Sequence, residues 1–103
     1  MSKPPKTFEN FSERFPEIRQ AWDLLGAAGT KGPLDAKTAR LIKLAVSIGA
    51  MREGGVHASV RKSRDLGITP EELDQVVAIC ASVIGLPSAV AVWTWIRDLD
   101  RKA

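Results

Sequence analysis

This sequence of 103 residues has one cysteine, one histidine and no long apolar run. The lack of cysteines and of apolar runs excludes disulfide-stabilised and membrane-spanning proteins. The one cysteine, Cys80, cannot form a disulfide within the chain. No apolar run approaches the roughly 20 residues that a membrane-spanning helix needs, so no membrane contact is expected. The first ten residues, MSKPPKTFEN, lack the apolar stretch of a secretory signal. We therefore expect a cytoplasmic protein.

Charge and composition are those of an ordinary globular protein. The formal net charge is only +3, and the Lys and Arg residues look scattered along the chain instead of clustered. A nucleic-acid-binding surface needs a denser basic stripe, so no nucleic-acid partner is expected. With 45% hydrophobic residues, the chain is long enough for one core. We predict a single domain over residues 1–103, with no metal and no cofactor.

Apolar residues with helical spacing, interrupted by Gly and Pro, divide the first half of the chain into predicted helices. Residues 1–6 are rich in Pro and Lys and are expected to form a flexible arm. Pro16 suits the first turn of a helix. Asp35 suits the N-cap of a second helix, and Gly54-Gly55 should break or bend the chain after Arg52. The apolar positions with helical spacing are Ile18, Ala21, Trp22 and Leu25 in the first helix, and Leu41, Leu44, Ala45 and Ile48 in the second.

The second half of the chain predicts three more helices. The first of them carries Val56, Val60 and Leu66 and ends at Gly67, a natural left-handed cap. The segment Thr69-Pro70-Glu71-Glu72 has the pattern of a capping box. Gly85 and Pro87 separate the last two helices, which are apolar most of the way round: Leu73, Val76, Val77, Ile79, Cys80, Val83 and Ile84, then Val90, Val92, Trp93, Trp95, Ile96 and Leu99. No strand-type alternation of useful length occurs, so the predicted fold is all-α.

The apolar surface of these last two helices exceeds what a chain of this length can enclose. Trp93 and Trp95 are interpreted as core or interface packing, with a ligand wall as the alternative. Some of this surface should be buried between identical subunits. We therefore predict a homo-oligomer.

Four motifs occur in a fixed order: LD-x-KT-x-x-LI at residues 34–42, Arg52-Glu53, LGITPEE at residues 66–72, and Gly-Leu-Pro at residues 85–87. In this order and spacing they resemble the core of the carboxymuconolactone decarboxylase family, part of the alkylhydroperoxidase D-like superfamily. The resemblance covers residues 34–99. It implies a compact domain of about five to six helices that assembles as a homohexamer or homotrimer.

The resemblance also implies where chemistry would occur. In the disulfide branch of the family a Cys-x-x-Cys pair opens the helix after the junction, and a thiolate at a helix N-terminus is reactive. Those two cysteine positions fall on Arg52 and Gly55 here. The branch's His falls on Ser59 and its Glu on Arg40, so none of the four residue types is retained. Cys80 lies in the middle of a predicted helix and is interpreted as an inert core thiol.

The decarboxylase branch matches somewhat better, through Arg52-Glu53. The resemblance again places the His of this branch on Ser59. Some members of the family have a His-x-His pattern, whose two positions fall on His57 and Ser59 here. On a helix, residues 57 and 59 point about 200 degrees apart, so His57 cannot simply replace a His at position 59. The site is therefore either rebuilt around His57 or catalytically silent.

The candidate site residues each have two interpretations. Glu53 lies one turn before His57 and would orient its ring for general acid–base catalysis, or the pair is an ordinary surface contact. Arg52 would hold a substrate carboxylate, or it is a solvated charge at a helix end. Ser59 and Arg40 are candidate substrate contacts, although a structural ion pair is the favoured role of Arg40. Gly54-Gly55 is interpreted as a bend, with anion binding as the alternative.

Three functions follow, in order of preference. The first is cofactor-free acid–base chemistry on, or binding of, a small organic acid near Arg52, Glu53 and His57, which would make the protein a lyase-like enzyme. The second is a catalytically silent assembly or binding protein of the same fold. The third is the antioxidant, peroxiredoxin-type activity of the family, which the residues at the junction do not support.

Overall fold

A computed structural model describes residues 6–102 of the chain, and the side chains of residues 6–97. Within this part there are six helices and no strand, which confirms the all-α prediction. The helices are α1 (Lys6–Arg14), α2 (Pro16–Ala28), α3 (Ala36–Gly49), α4 (Glu53–Asp65), α5 (Pro70–Ile84) and α6 (Leu86–Lys102). No helix in residues 6–102 is long and apolar enough to cross a membrane.

The chain divides into two compact units, residues 1–34 and residues 35–103. In the first unit, α1 packs against α2, and the rings of Phe11 and Phe15 lie 5.2 Å apart at the turn between them. The guanidinium of Arg19 lies over the ring of Phe8 at 5.3 Å. Helix α1 was not predicted; most of the expected arm, residues 1–5, lies outside the described residues, and Lys6 already begins α1.

The second unit contains the buried core, and all four of its helices contribute. Helix α3 packs against α4 and α5, and α6 packs against the same two helices. The apolar side chains that are fully or almost fully buried lie on the inward faces of these helices, with Ile68 added from the turn between α4 and α5: Leu44, Ile48, Val56, Val60, Ile68, Leu73, Val77, Ala89, Val92 and Ile96. The side chain of Leu99, predicted on the last apolar face, lies outside the described residues.

Three of the predicted helix ends are confirmed. The Asp35 carboxylate accepts a hydrogen bond of 2.7 Å from the backbone N–H of Thr38, so Asp35 caps α3. Thr69 and Glu72 form both bonds of a capping box at the start of α5. Gly67 has a φ of +72°, a left-handed conformation that favours glycine, just after α4 ends.

The predicted break at Gly54-Gly55 is wrong, because both glycines lie in the first turn of α4. The chain turns earlier, at Met51, whose φ is +55°. The N–H of Arg52 donates to the Ser47 carbonyl at 2.9 Å. This bond between residues five apart is typical of a Schellman motif, in which an α-helix is followed by one residue of left-handed conformation. A residue other than glycine is strained in this conformation, so the packing of α3 against α4 must hold the turn in place.

Large apolar side chains remain exposed on the single chain, and one group lies on α5, α6 and the turn between them. This group consists of Ile79, Val83, Leu86, Val90 and Trp93, and Val83 is 84% exposed. Trp95 instead packs against the core. An apolar surface of this kind is typical of a face that is covered by another subunit.

We predict that this face is buried in a homo-oligomer, a hexamer or otherwise a trimer. Light scattering at micromolar concentration should therefore give a mass that is a multiple of the 11.2 kDa of one chain. Val83→Glu should shift the mass toward the monomer, because it places a charge on the apolar face. Wild-type protein that scatters as a monomer would contradict the prediction.

Candidate functional site

The candidate site lies at the start of α4, where the chain leaves the turn at Met51. Arg52 is the N-cap of α4, and its side chain makes no capping hydrogen bond. The first helical hydrogen bond of α4 joins the Val56 N–H to the Arg52 carbonyl at 2.9 Å. The preceding N–H groups, those of residues 53–55, therefore point out of the helix end. Such an end attracts anions, and Arg52 adds a full positive charge beside it.

His57 and Glu53 lie one turn apart on α4, as predicted. Because α4 continues through the two glycines, Nε2 of His57 comes within 3.8 Å of Oε2 of Glu53. This distance is longer than a hydrogen bond, and Nε2 is buried without a hydrogen-bond partner among the described residues. The Glu53 side chain is 57% exposed and the His57 side chain 28%. A small rotation of the exposed carboxylate would bring the two groups into hydrogen-bonding distance.

Ser59 points in a different direction from His57. It is 3% exposed and lies on the core side of α4 beside Val60. The hydroxyl of Ser63, also buried, donates to the Ser59 carbonyl at 2.7 Å. The position where the family resemblance places a His thus faces the interior of the unit, and His57 lies on another face of the helix.

Gly55 sets how closely α3 and α4 approach each other. A Cβ atom at Gly55 would lie 2.9 Å from Oγ and 3.3 Å from Cβ of Ser47 on α3. These distances are shorter than real side chains tolerate, so only glycine fits without a shift. The second cysteine position of the disulfide branch falls here, and a side chain at this position would require Ser47 to shift. Gly54, by contrast, faces open space.

Arg40 lies on α3, and the structure does not bear out the ion pair expected for it. Within the described residues, Arg40 forms no ion pair, and its Nε is buried without a hydrogen-bond partner. Burial lowers the pKa of its guanidinium. The pKa of Lys62 on α4 is lowered first by burial and then by the nearby charges of Arg40, Lys43 and Arg61.

Arg40, Lys43 and Arg61 thus lie close enough to Lys62 to act on its charge, so these cations are grouped around Lys62 and not scattered, as the sequence suggested. We call Arg40, Lys43, Arg61 and Lys62 the α3–α4 cation cluster. A signal for it is present in the sequence, since two basic residues three apart on one helix are followed by two adjacent ones on the next. The register of the two helices, which sequence reasoning did not supply, brings the pairs together.

The site residues named from the sequence therefore fall into separate places. Arg52, Glu53 and His57 share the first two turns of α4, Ser59 faces the core, and Arg40 belongs to the cation cluster. No hydrogen bond or ion pair within residues 6–97 joins Arg40 or Arg52 to the Glu53–His57 pair. In the same part of the chain, no three His, Cys, Asp or Glu side chains are grouped as metal ligands would be.

Cys80 lies in the middle of α5, half-buried, and packs against the apolar core. Burial raises the pKa of its thiol, which disfavours the reactive thiolate. We therefore predict that any peroxide consumption by this protein is unchanged in Cys80→Ser. A peroxidase assay on wild type and variant tests this, and activity that disappears only in the variant would contradict it.

A further polar contact joins α5 to α6. Asp74 accepts a hydrogen bond of 3.2 Å from Nε1 of Trp93 and forms an ion pair of 2.5 Å with Arg97. The Arg97 guanidinium also lies over the Trp93 ring at 4.9 Å. These contacts join the two helices at the edge of the exposed apolar face. Trp93 is 42% exposed and so is not a core residue, and its interface packing stays a prediction.

Comparison with known proteins agrees with this architecture. The crystal structure of the apo form of a carboxymuconolactone decarboxylase family protein from Legionella pneumophila superposes with a TM-score of 0.81 at 25% identity, over 93% of this chain and 87% of that one. An uncharacterized protein of Haemophilus influenzae is 37% identical over 59 residues, which are 56% of this chain. The match spans about half of that relative, 52% of its length.

The fold and the α3–α4 junction define an all-helical domain of the alkylhydroperoxidase D-like kind. The sequence model of the Carboxymuconolactone decarboxylase family matches residues 16–98, which are most of the chain. The protein belongs to the carboxymuconolactone decarboxylase family. The match begins at residue 16, well before residue 34, where the sequence motifs placed the start of the family core, so it includes α2.

Proposed function

We propose that this protein binds a small organic acid at the start of α4 and performs acid–base chemistry on it without a cofactor. The observation that carries the proposal is the Glu53–His57 pair, 3.8 Å apart, with a buried Nε2 that has no hydrogen-bond partner. Imidazole is the side chain best suited to exchange protons near neutral pH. A carboxylate on the next turn is the usual means of fixing its orientation and tautomer.

Each residue then has one role. Glu53 turns toward Nε2 of His57 and holds the proton on that nitrogen, so Nδ1 is the nitrogen that takes a proton from the substrate and returns it. Arg52 binds the substrate carboxylate with its planar guanidinium, helped by the free N–H groups at the start of α4. The strained turn at Met51 fixes the position of Arg52 relative to α4.

The test is a thermal-shift screen of small mono- and dicarboxylic acids. A productive acid should raise the melting temperature of wild type, because a ligand that binds only the folded state stabilises it. The shift should be smaller in His57→Ala and in Arg52→Ala, and unchanged in Lys31→Gln, which alters an exposed lysine in the loop after α2. Stabilisation that persists unchanged in both site variants would remove this site from the proposal.

A catalytically silent assembly protein of the same fold is the second candidate. It is favoured by the burial of Ser59, which leaves no proton-transfer group where the family resemblance places its His, and by the exposed apolar face on α5 and α6. This candidate predicts that no organic acid shifts the melting temperature and that His57→Ala matters only through assembly. The cytoplasmic location stays a prediction under either function.

A further inference from the structure

The α3–α4 cation cluster has no role in the function proposed above. Helices α3 and α4 run side by side from the contact between Ser47 and Gly55. Moving back along α3 and forward along α4 from this contact brings Arg40 beside Lys62, five residues beyond His57. At 1.5 Å per residue, Lys62 is about 7.5 Å further along the α4 axis than His57. Arg40 and Lys62 therefore lie apart from the Glu53–His57 pair, and Arg61, one turn beyond His57, is the member of the cluster nearest to it.

Grouped cations normally form ion pairs with carboxylates, and the cluster has no such pair within the described residues. Within the described residues, none of its four members forms an ion pair, although acidic side chains pair with other cations of the same unit, as Glu72 does with Lys37 at 2.8 Å. Arg40 is partly buried, and its Nε donor has no acceptor. A buried donor without an acceptor is costly, and like charges held together repel. An anion placed between Arg40 and Lys62 would remove both costs.

We propose that the α3–α4 cation cluster binds a small multivalent oxyanion, a phosphate group or a di- or tricarboxylate. The guanidinium of Arg40 is a planar fork that matches two oxygens of such a group, and its half-buried position fixes the orientation of that fork. Lys43 and Lys62 supply point charges from the two helices, and Arg61 adds a fourth charge at the edge. Several cations around one small ligand favour an anion with more than one charge over a simple monocarboxylate.

The experiment measures binding of inorganic phosphate and of citrate by calorimetry, with acetate as the monovalent control and NaCl holding the ionic strength constant. Phosphate or citrate should bind, and at saturating concentration should raise the melting temperature by about 4 °C or more. Binding of phosphate alone identifies a phosphorylated ligand, and binding of citrate alone identifies a polycarboxylate. Equal effects of acetate or of NaCl would show simple charge screening and would overturn the proposal.

Two variants place the site. Arg40→Gln and Lys62→Gln should each weaken binding about ten-fold or more, because each removes a charge-assisted contact. Both variants should fold, because each removes one of several like charges that repel each other. In low salt and without ligand, each should therefore melt at or above the wild-type temperature. Lys31→Gln, an exposed lysine that belongs to neither site, is the control, and it should bind as wild type does. Equal weakening in Arg52→Gln would move the anion to the helix end and overturn the proposal.

Binding of an anion at the cation cluster is independent of the acid–base proposal. His57→Ala should leave phosphate binding unchanged, because the anion is placed between Arg40 and Lys62, and Lys62 lies about 140° around α4 from His57. Loss of phosphate binding in His57→Ala would show that one site, and not two, binds the anion, and would overturn the assignment to the cluster.

Discussion

Replacing His57 with Ala should reduce turnover of the substrate acid by about 10²–10⁴-fold, the usual cost of removing a general acid–base group. The loss should appear in kcat, because the imidazole acts on the proton and not on the substrate carboxylate. The fold should tolerate the change, since the ring makes no hydrogen bond through Nε2 and is partly exposed. The measurement is steady-state turnover of the acid that stabilises wild type, with the melting temperature recorded alongside.

Two neighbouring variants separate this role from its alternatives. Glu53→Gln should lower kcat less than His57→Ala, because an amide still accepts a hydrogen bond from the ring but does not stabilise its charge. Arg52→Ala should act mainly on KM, since it removes a binding contact. Turnover that survives in His57→Ala would contradict the mechanism, whatever the other two variants do.

The parts of the fold that were predicted are those specified by a few adjacent residues. The capping box at Thr69 and Glu72, the cap at Asp35 and the left-handed ending at Gly67 each need only local backbone geometry. The spacing of Glu53 and His57 belongs to the same class, because any helix through both residues brings the side chains onto one face. Family membership was predicted as well, since its motifs are short and lie in order along the chain.

The parts that were missed depend on contacts between helices. Glycine is a poor helix former, so Gly54-Gly55 predicted a break. The structure places both in α4, and at Gly55 the close approach of Ser47 on α3 favours a residue without a side chain. The cation cluster was missed for the same reason: its two pairs, one on each helix, are 18 to 22 residues apart in the sequence, and only the helix register brings them together. Helix α1 was missed because few apolar residues precede Pro16. In the structure it packs against α2.

Replacing Gly55 with Val should lower the free energy of unfolding by about 1–3 kcal/mol, the usual cost of overpacking. A Cβ at this position already meets Cβ of Ser47 at 3.3 Å, and the two methyl groups of Val extend further into α3. The hydroxyl of Ser47 can rotate away, but its Cβ cannot move without the backbone. Chemical denaturation at a fixed protein concentration measures the loss, because assembly would make stability depend on concentration.

Gly54→Val is the matched control, the same substitution one residue earlier in the same helical turn. A Cβ at Gly54 meets no atom within 4 Å, so the free energy of unfolding should change by no more than about 0.5 kcal/mol. Adding Ser47→Gly to Gly55→Val should restore part of the lost stability, since it removes the atoms in contact, and the double-mutant cycle measures that coupling. Equal losses at both glycines would show that the effect does not come from the contact with Ser47. In that case the close approach of α3 and α4 would not determine the residue at position 55.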